Sequence, residues 1–174
     1  MIVLYILLAI IILIAILAII APKTYHVHRS VIINRPTHEV FEYLKYLKNQ
    51  DEWSPWARKD PDMVKTFTGT DGEIGFVSKW EGNKHVGSGE QEITEIFEGK
   101  RIESQLRFFK PWKSISNAFM VVEPVGEETE VTWGFDGENK FPSSIFMLFM
   151  NMDKMIGKDF EEGLVYLKER LEKR

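Results

Sequence analysis

The twenty residues after Met1 constrain this chain more than any other segment. Residues Ile2–Ala21, IVLYILLAIIILIAILAIIA, contain no charged side chain, and Tyr5 contributes the one polar group. A helix of this length rises about 30 Å, the thickness of the hydrocarbon core of a bilayer. It has no polar face to present to water, so it does not suit the surface of a soluble domain. Residues 1–22 are therefore predicted to form a transmembrane anchor.

A cleaved signal peptide is the competing interpretation of this segment. Signal peptides have basic residues before a shorter apolar run and end in an Ala-x-Ala-like cleavage site. Here no Lys or Arg precedes the run, and Ala9, Ala15, Ala18 and Ala21 are never two positions apart. These features favour an uncleaved, single-pass anchor.

The charges around the anchor predict its orientation. Lys23, Arg29 and Arg35 follow the apolar segment closely, and no basic residue precedes it. Positive residues are retained on the cytoplasmic side of a membrane, so the domain after the anchor is predicted to be cytoplasmic. Pro22 ends the apolar helix and little linker follows, which places that domain close to the membrane.

Residues 23–174 have the pattern of one α+β domain. The stretch YHVHRSVII predicts a strand, and RPTHEVFEYLKYL and DEWSPW predict a helix and a short helical piece. Six further strands separated by Gly- or Pro-containing turns are predicted at about Val64–Thr68, Gly75–Trp80, His85–Phe97, Arg101–Phe109, Ser114–Val122 and Thr129–Phe135. A long helix, Phe146–Leu171, closes the chain. Consecutive strands with short turns form an antiparallel sheet, and the long helix is the element that can cover it. A curved sheet around one helix leaves space for a cavity.

Several segments also resemble a known superfamily. They are INRPTHEVFEYL, DEWSPWARKDP, FTGTDGEIGFVSKWEGNKHVGSGEQEITEI, VTWGFDGEN and FMNMDKMIGKDFEEGLVYLK. The chain is similar in these segments to the START-like superfamily, which has the Bet v 1-type helix-grip fold, and within it to the SRPBCC group called polyketide cyclase/dehydrase-like. The resemblance implies a curved sheet of about six or seven strands around the C-terminal helix, with a ligand cavity between them. It does not imply one reaction, because fold does not fix function.

Aromatic and apolar residues supply the candidate lining of that cavity. Strand alternation puts Trp133 and Phe135 on one face, and Phe76 and Trp80 on the face of another strand. Such residues usually fill a core, but the implied cavity favours a binding role for the set. The predicted ligand-binding residues are Trp53, Trp56, Phe76, Trp80, Phe108, Trp133, Phe149, Met150 and Asp153.

Asp153 is the unexpected member of this set. On a helical wheel it falls on the apolar side of the last helix, in line with Phe160 and Leu171. A carboxylate there needs a partner, because burying an unpaired charge is costly. It can accept hydrogen bonds from an indole or an inward arginine such as Arg107, contact a polar group of a ligand, or act as a general acid or base. Gly157, one turn on, indicates a close approach at that point.

Composition excludes several other functions. The chain has no cysteine, which excludes disulfides, thiolate metal sites and a cysteine nucleophile. The net charge is −4 with no basic stripe, so nucleic acid is not expected as a partner. His26 and His28 share one face of a strand, but we interpret that face as an exposed surface and expect neither a metal nor a cofactor.

Two classes of function stay open. The first is a membrane-anchored module that binds an apolar small molecule or lipid. The second is an enzyme of the cyclase, dehydratase or hydrolase type acting on such a molecule. An enzyme is expected to bring two or more titratable groups into one pocket, and the sequence identifies one with conviction, Asp153. A packed interaction domain without a ligand is the third possibility.

Overall fold

The computed structural model of the chain describes residues 2–138, 141–149 and 151–173. Six α-helices lie in this part of the chain, at Ile2–Ile20 (α1), Thr37–Lys45 (α2), Gln50–Trp53 (α3), Pro55–Lys59 (α4), Ser143–Phe146 (α5) and Met152–Glu172 (α6). Seven strands lie at Thr24–Ile33 (β1), Val64–Thr68 (β2), Val77–Glu81 (β3), Ser88–Phe97 (β4), Arg101–Lys110 (β5), Ser114–Val125 (β6) and Glu128–Glu138 (β7). A 3-10 turn, Leu47–Asn49, joins α2 to α3.

The strands form one antiparallel sheet in the order β1-β7-β6-β5-β4-β3-β2. The first strand of the domain therefore pairs with the last, and the other strands follow as a meander. Helix α6 packs across the sheet beside β1, and α2 packs against β6 and β7. The buried core lies between these layers and includes Ile33, Phe41, Ile93, Val131, Leu164 and Leu167. The predicted α+β helix-grip architecture is confirmed.

The long C-terminal helix begins later than the sequence pattern predicts. Its first residue is Met152, because the side chain of Asn151 accepts a hydrogen bond from the backbone N–H of Lys154 at 3.0 Å and caps the helix. The short helix α5 and a turn over 147–149 precede it. The prediction of one continuous helix from Phe146 is therefore wrong.

The N-terminal segment is a separate helix with no buried residue. Within the described ranges, α1 is the one helix long and apolar enough to cross a membrane. Ala21, Pro22 and Lys23 connect it to β1, and its C-terminal end lies beside α5.

Candidate functional site

A cavity of about 200 Å³ lies between the concave face of the sheet and the helices α3, α4 and α6. Its aromatic lining consists of Trp56, Trp80, Phe108, Trp133, Phe135 and Phe160. Its aliphatic lining consists of Leu47, Ala57, Met63, Val86, Leu106, Ala118 and Ile156. The polar lining residues are Gln50, Ser54, Lys65, Ser78 and Gln91.

The strand register explains why these side chains meet. Lys65 lies opposite Trp80, Trp80 opposite Gly89, and Gly89 opposite Phe108. Directly paired residues of an antiparallel sheet point to the same face, so one row across four strands faces the cavity. Gly89 has no side chain to block the row, and a Cβ there would lie 2.6 Å from Cζ2 of Trp80. The glycine thus makes room for the Trp80 indole.

The helix side of the cavity is built around Trp133. Its ring stacks on Phe160 of α6 with 4.3 Å between centroids, and Trp56 of α4 meets it edge-on at 5.6 Å. Gly163 of α6 allows the Trp133 ring to lie this close to the helix, because a Cβ at position 163 would be 2.7 Å from Cζ3 of Trp133. Aromatic side chains from three elements thus form a continuous apolar wall.

Lys65 is the charged member of the described lining. It lies on β2, its side chain is 21% exposed, and its ammonium contacts the carboxylate of Asp51. Burial lowers the pKa of Lys65 to about 8, because an apolar surrounding disfavours the charged form. An amine with such a pKa can donate a proton or a hydrogen bond to a ligand near neutral pH. The cavity therefore combines an aromatic wall with a polar group able to fix a ligand's orientation.

The structure places four of the nine predicted site residues in this lining: Trp56, Trp80, Phe108 and Trp133. Trp53 and Phe76 are each 1% exposed and belong to the core behind the cavity. Trp53 packs edge-on against Trp133 at 4.8 Å, and Phe76 stacks on Phe67 at 6.0 Å. Neither residue lines this cavity, because burial alone does not distinguish a wall from the layer that supports it, and their role in ligand binding stays a prediction.

The three remaining predicted site residues do not line this cavity in the part of the chain that the structure describes. Phe149 is 80% exposed and borders a second, more open pocket of about 440 Å³, formed by residues 22, 24–27, 147–149 and 151–153. Met150 lies outside the described residues. Asp153 also borders this second pocket, with a side chain that is 54% exposed. The expectation that Asp153 faces inward, near the main cavity, is wrong.

The partner of Asp153 is Arg29 of β1. Arg29 Nη1 donates to Asp153 Oδ1 at 2.8 Å and Nη2 to Oδ2 at 3.1 Å, while Nε donates to Glu161 Oε1 at 2.6 Å. The guanidinium lies over Gly157, where a Cβ would overlap it. Asp153, Gly157 and Glu161 are four residues apart, so they line one side of α6 and form a slot for the arginine.

The carboxylate at position 153 of α6 is explained by its ion pair with Arg29. Hydrogen bonds from Arg29 lower the pKa of Asp153 and raise that of Arg29, as expected for a bidentate ion pair. The suggested partner Arg107 instead donates to Glu90, Glu92 and Gln105. The arrangement therefore matches the structural one of the three roles considered for Asp153.

Sequence reasoning missed the polar members of the cavity. Lys65, Ser78 and Gln91 lie in predicted strands, and the register with Trp80 places them on its face. Period-two alternation along β3 predicts that Ser78 shares the face of Trp80. Placing Lys65 of β2 and Gln91 of β4 on that face requires the strand register, which the sequence alone does not determine. Among residues 2–138, 141–149 and 151–173, no group of three or more His, Asp or Glu side chains is placed to hold a metal ion.

Comparisons with known proteins agree with this architecture. The family model described as polyketide cyclase / dehydrase and lipid transport matches residues 24–172. No match was found among curated proteins. Norcoclaurine synthase from Thalictrum flavum, solved with dopamine and hydroxybenzaldehyde, superposes with a TM-score of 0.66 at 8% identity, over 91% of this chain and 92% of that one.

Two further solved structures show the same fold. Major latex-like protein 151 from Panax ginseng has a TM-score of 0.60 at 17% identity, covering 87% of this chain and 97% of its own. A protein from Thermobifida fusca has a TM-score of 0.61 at 20% identity, covering 83% and 91%. At these identities the likeness concerns the fold. The match of the family model over residues 24–172 shows that the chain belongs to the polyketide cyclase/dehydrase and lipid transport family of the SRPBCC superfamily.

Proposed function

We propose that this protein is a membrane-anchored module that binds a hydrophobic small molecule or lipid in the cavity between the sheet and α6. The observation that carries the proposal is the aromatic wall of Trp56, Trp80, Trp133 and Phe160 around about 200 Å³ of space. Ligand pockets are typically apolar and concave with a few polar groups that orient the ligand. This cavity has that composition.

The size and chemistry of the cavity restrict the ligand. Its volume is below the roughly 300–1,000 Å³ typical of drug-sized ligand sites, which favours a compact ring system or one segment of a lipid. The flat aromatic walls suit stacking or edge contacts with a ring. Lys65, Gln50 and Gln91 offer hydrogen bonds, so the ligand is expected to carry one polar group such as a hydroxyl, carbonyl or carboxylate.

Titration of the full chain with 2-naphthol and with lauric acid tests this proposal. Native mass spectrometry from detergent micelles counts the bound copies, and we expect one copy at saturation. Leu106→Trp places an indole in the cavity and should weaken binding more than tenfold. Val121→Trp is the control, because Val121 lies opposite Arg101 and Thr132 on the outward face of β6. Absence of saturable binding by the folded protein, or equal affinity in both variants, would contradict the proposal.

An enzyme acting on the same class of molecule is the second candidate function. The specific observation in its favour is Lys65, which lines the cavity, contacts the carboxylate of Asp51 and has a pKa lowered to about 8, in the range in which an amine exchanges protons. A cyclisation or dehydration needs such a proton donor or acceptor beside an apolar substrate. If this function operates, Lys65→Met should abolish turnover while the protein still binds the ligand.

We also propose that α1 is an uncleaved transmembrane anchor and that residues 23–174 form the cytoplasmic domain. The support is the apolar composition of α1 and the absence of any buried residue in it, together with Lys23, Arg29 and Arg35 after it. A continuous apolar helix of nineteen residues, none of them buried in the domain, needs a lipid environment.

A further inference from the structure

A short connection between α1 and β1 determines which end of the sheet lies nearest to α1. Three residues separate Ile20 from Thr24, so β1 starts within roughly 14 Å of the end of α1. Lys23 Nζ donates back to the carbonyl of Ala18 at 2.7 Å, and Ala21 is buried. If α1 spans the bilayer, as proposed above, this end of the domain lies at the membrane surface.

The strand register brings distant segments to the same end. Thr24 pairs with Glu138, Gly137 with Ser116, and Ser114 with Phe108. The turn between β5 and β6, residues 111–113, therefore lies at the same end of the sheet as the start of β1, with β7 between them. The segment 141–149 follows Glu138 and also belongs to this end, since residues 147–149 border the pocket formed with 22 and 24–27.

The most exposed aromatic side chains of the domain are found here. Trp112 is 72% exposed, Phe141 64% and Phe149 80%. Outside α1, these three are the described aromatic residues with more than 60% exposure. Phe97, at the opposite end of the sheet, is 45% exposed. Large aromatic rings in water are unfavourable, whereas tryptophan is enriched at the boundary between headgroups and acyl chains.

The charges at this end are compatible with lipid headgroups. Lys110 and Lys113 flank Trp112, and Lys23 precedes β1. Of the nearby carboxylates, Asp136 and Asp153 are paired with His26 and Arg29, and Glu138, opposite Thr24, adds one exposed negative charge beside these three lysines. A lysine beside an inserted ring can extend its ammonium to an anionic headgroup.

We propose that Trp112, Phe141 and Phe149 form a membrane-contact rim that inserts into the interface of the bilayer crossed by α1. The inference rests on the proposed transmembrane anchor. The rim gives the domain a fixed orientation, with β1 running away from the membrane. The cavity lies toward the bilayer in this orientation, because its lining includes Val86, in the turn between β3 and β4, and Phe108, near the end of β5.

Single-cysteine labelling tests the rim, and the absence of native cysteine makes the label unique. Full-length Trp112→Cys carrying the fluorophore NBD is reconstituted in vesicles of phosphatidylcholine and phosphatidylglycerol. The matched control is Val125→Cys, an exposed apolar position at the last residue of β6, at the opposite end of the sheet. Phe141→Cys provides a second rim position should the first variant fold poorly.

The expected result is a blue-shifted emission at position 112, with quenching by nitroxide-labelled lipid several times stronger than at position 125. Equal, water-like emission at both positions in membrane-integrated protein would overturn the rim and leave the anchor intact. Alkaline carbonate extraction of the same vesicles measures integration separately. Release of the protein by carbonate would refute the anchor and with it the inference.

Discussion

Lys65 shows how one side chain gives a largely apolar cavity its chemistry. Its position on β2, opposite Trp80, directs the side chain toward the aromatic wall, where burial lowers its pKa. A neutral amine and an ammonium are both accessible near pH 8. The protonation state of the cavity therefore depends on pH in the range where ligands would be tested.

The lowered pKa of Lys65 predicts how stability changes with pH. Its value is about 8 in the folded state and about 10.4 when unfolded, so between these values the unfolded chain binds more protons. The free energy of unfolding of the wild type should therefore rise relative to that of Lys65→Met between about pH 8 and pH 10. Chemical denaturation at several pH values measures the difference.

Lys79→Met is the control for this experiment. Lys79 lies opposite Thr66, one residue from the Lys65–Trp80 pair and on the other face of the sheet. Its substitution removes one positive charge without changing the cavity. A wild-type stability that falls with pH relative to Lys65→Met would show that burial does not dominate the ionisation of Lys65.

At the level of secondary structure, most boundaries could be predicted because local signals agree with the fold. Strand β2 has the predicted bounds, and β1 differs by one residue. The β-branched residues of β1 lie between Pro22 and Pro36, and β2 lies between Pro61 and Gly69, so local breakers limit both strands. The start of α6 could not be predicted in the same way. The helical wheel through Phe146 assumed an unbroken helix, and the capping by Asn151 was not recognised.

Asp153 illustrates what a helical wheel leaves out. The wheel gives the direction of a side chain and says nothing about how far the partner surface extends. Asp153 does face β1, but near the first turn of α6 the facing group is the Arg29 guanidinium instead of an apolar cavity.

The cavity lining was likewise only partly predictable. Trp53 and Trp56 have similar sequence surroundings, but Trp53 is buried in the core whereas Trp56 lines the cavity.

The slot of α6 predicts an unusual response to Gly157→Ala. Alanine is preferred to glycine inside a helix by about 1 kcal/mol, but here its Cβ would displace the guanidinium of Arg29. We expect Gly157→Ala to give no gain in stability in the wild-type background and a gain of about 1 kcal/mol in the Arg29→Ala background. Thermal denaturation of the four proteins of this double-mutant cycle measures the coupling.

Coupling between the two substitutions would identify Arg29 as the reason for the glycine. Equal effects of Gly157→Ala in both backgrounds would contradict the slot. Exposed ion pairs contribute little by themselves, so Arg29→Ala alone is expected to cost about 1 kcal/mol or less.

For the whole molecule, the proposed anchor and the cavity belong to one arrangement. Helix α1 ends beside α5 and the first residues of β1, and the aromatic cavity lies on the face of the sheet covered by α6. If α1 is the membrane anchor proposed above, a hydrophobic ligand of low solubility in water would have a short path from the bilayer to the cavity. This advantage depends on the side of the membrane that the domain occupies.

The basic residues after α1 predict a cytoplasmic domain. A C-terminal fusion to a reporter that is active only outside the cytoplasm should give no signal, and its cytoplasmic counterpart should be active. In intact cells, Val125→Cys should resist a membrane-impermeant maleimide and react after lysis, because Val125 is exposed on the domain surface. The intact protein should also retain the sequence of α1. A mature N-terminus near Pro22 would identify α1 as a cleaved signal peptide, and labelling of Val125→Cys in intact cells would place the domain outside.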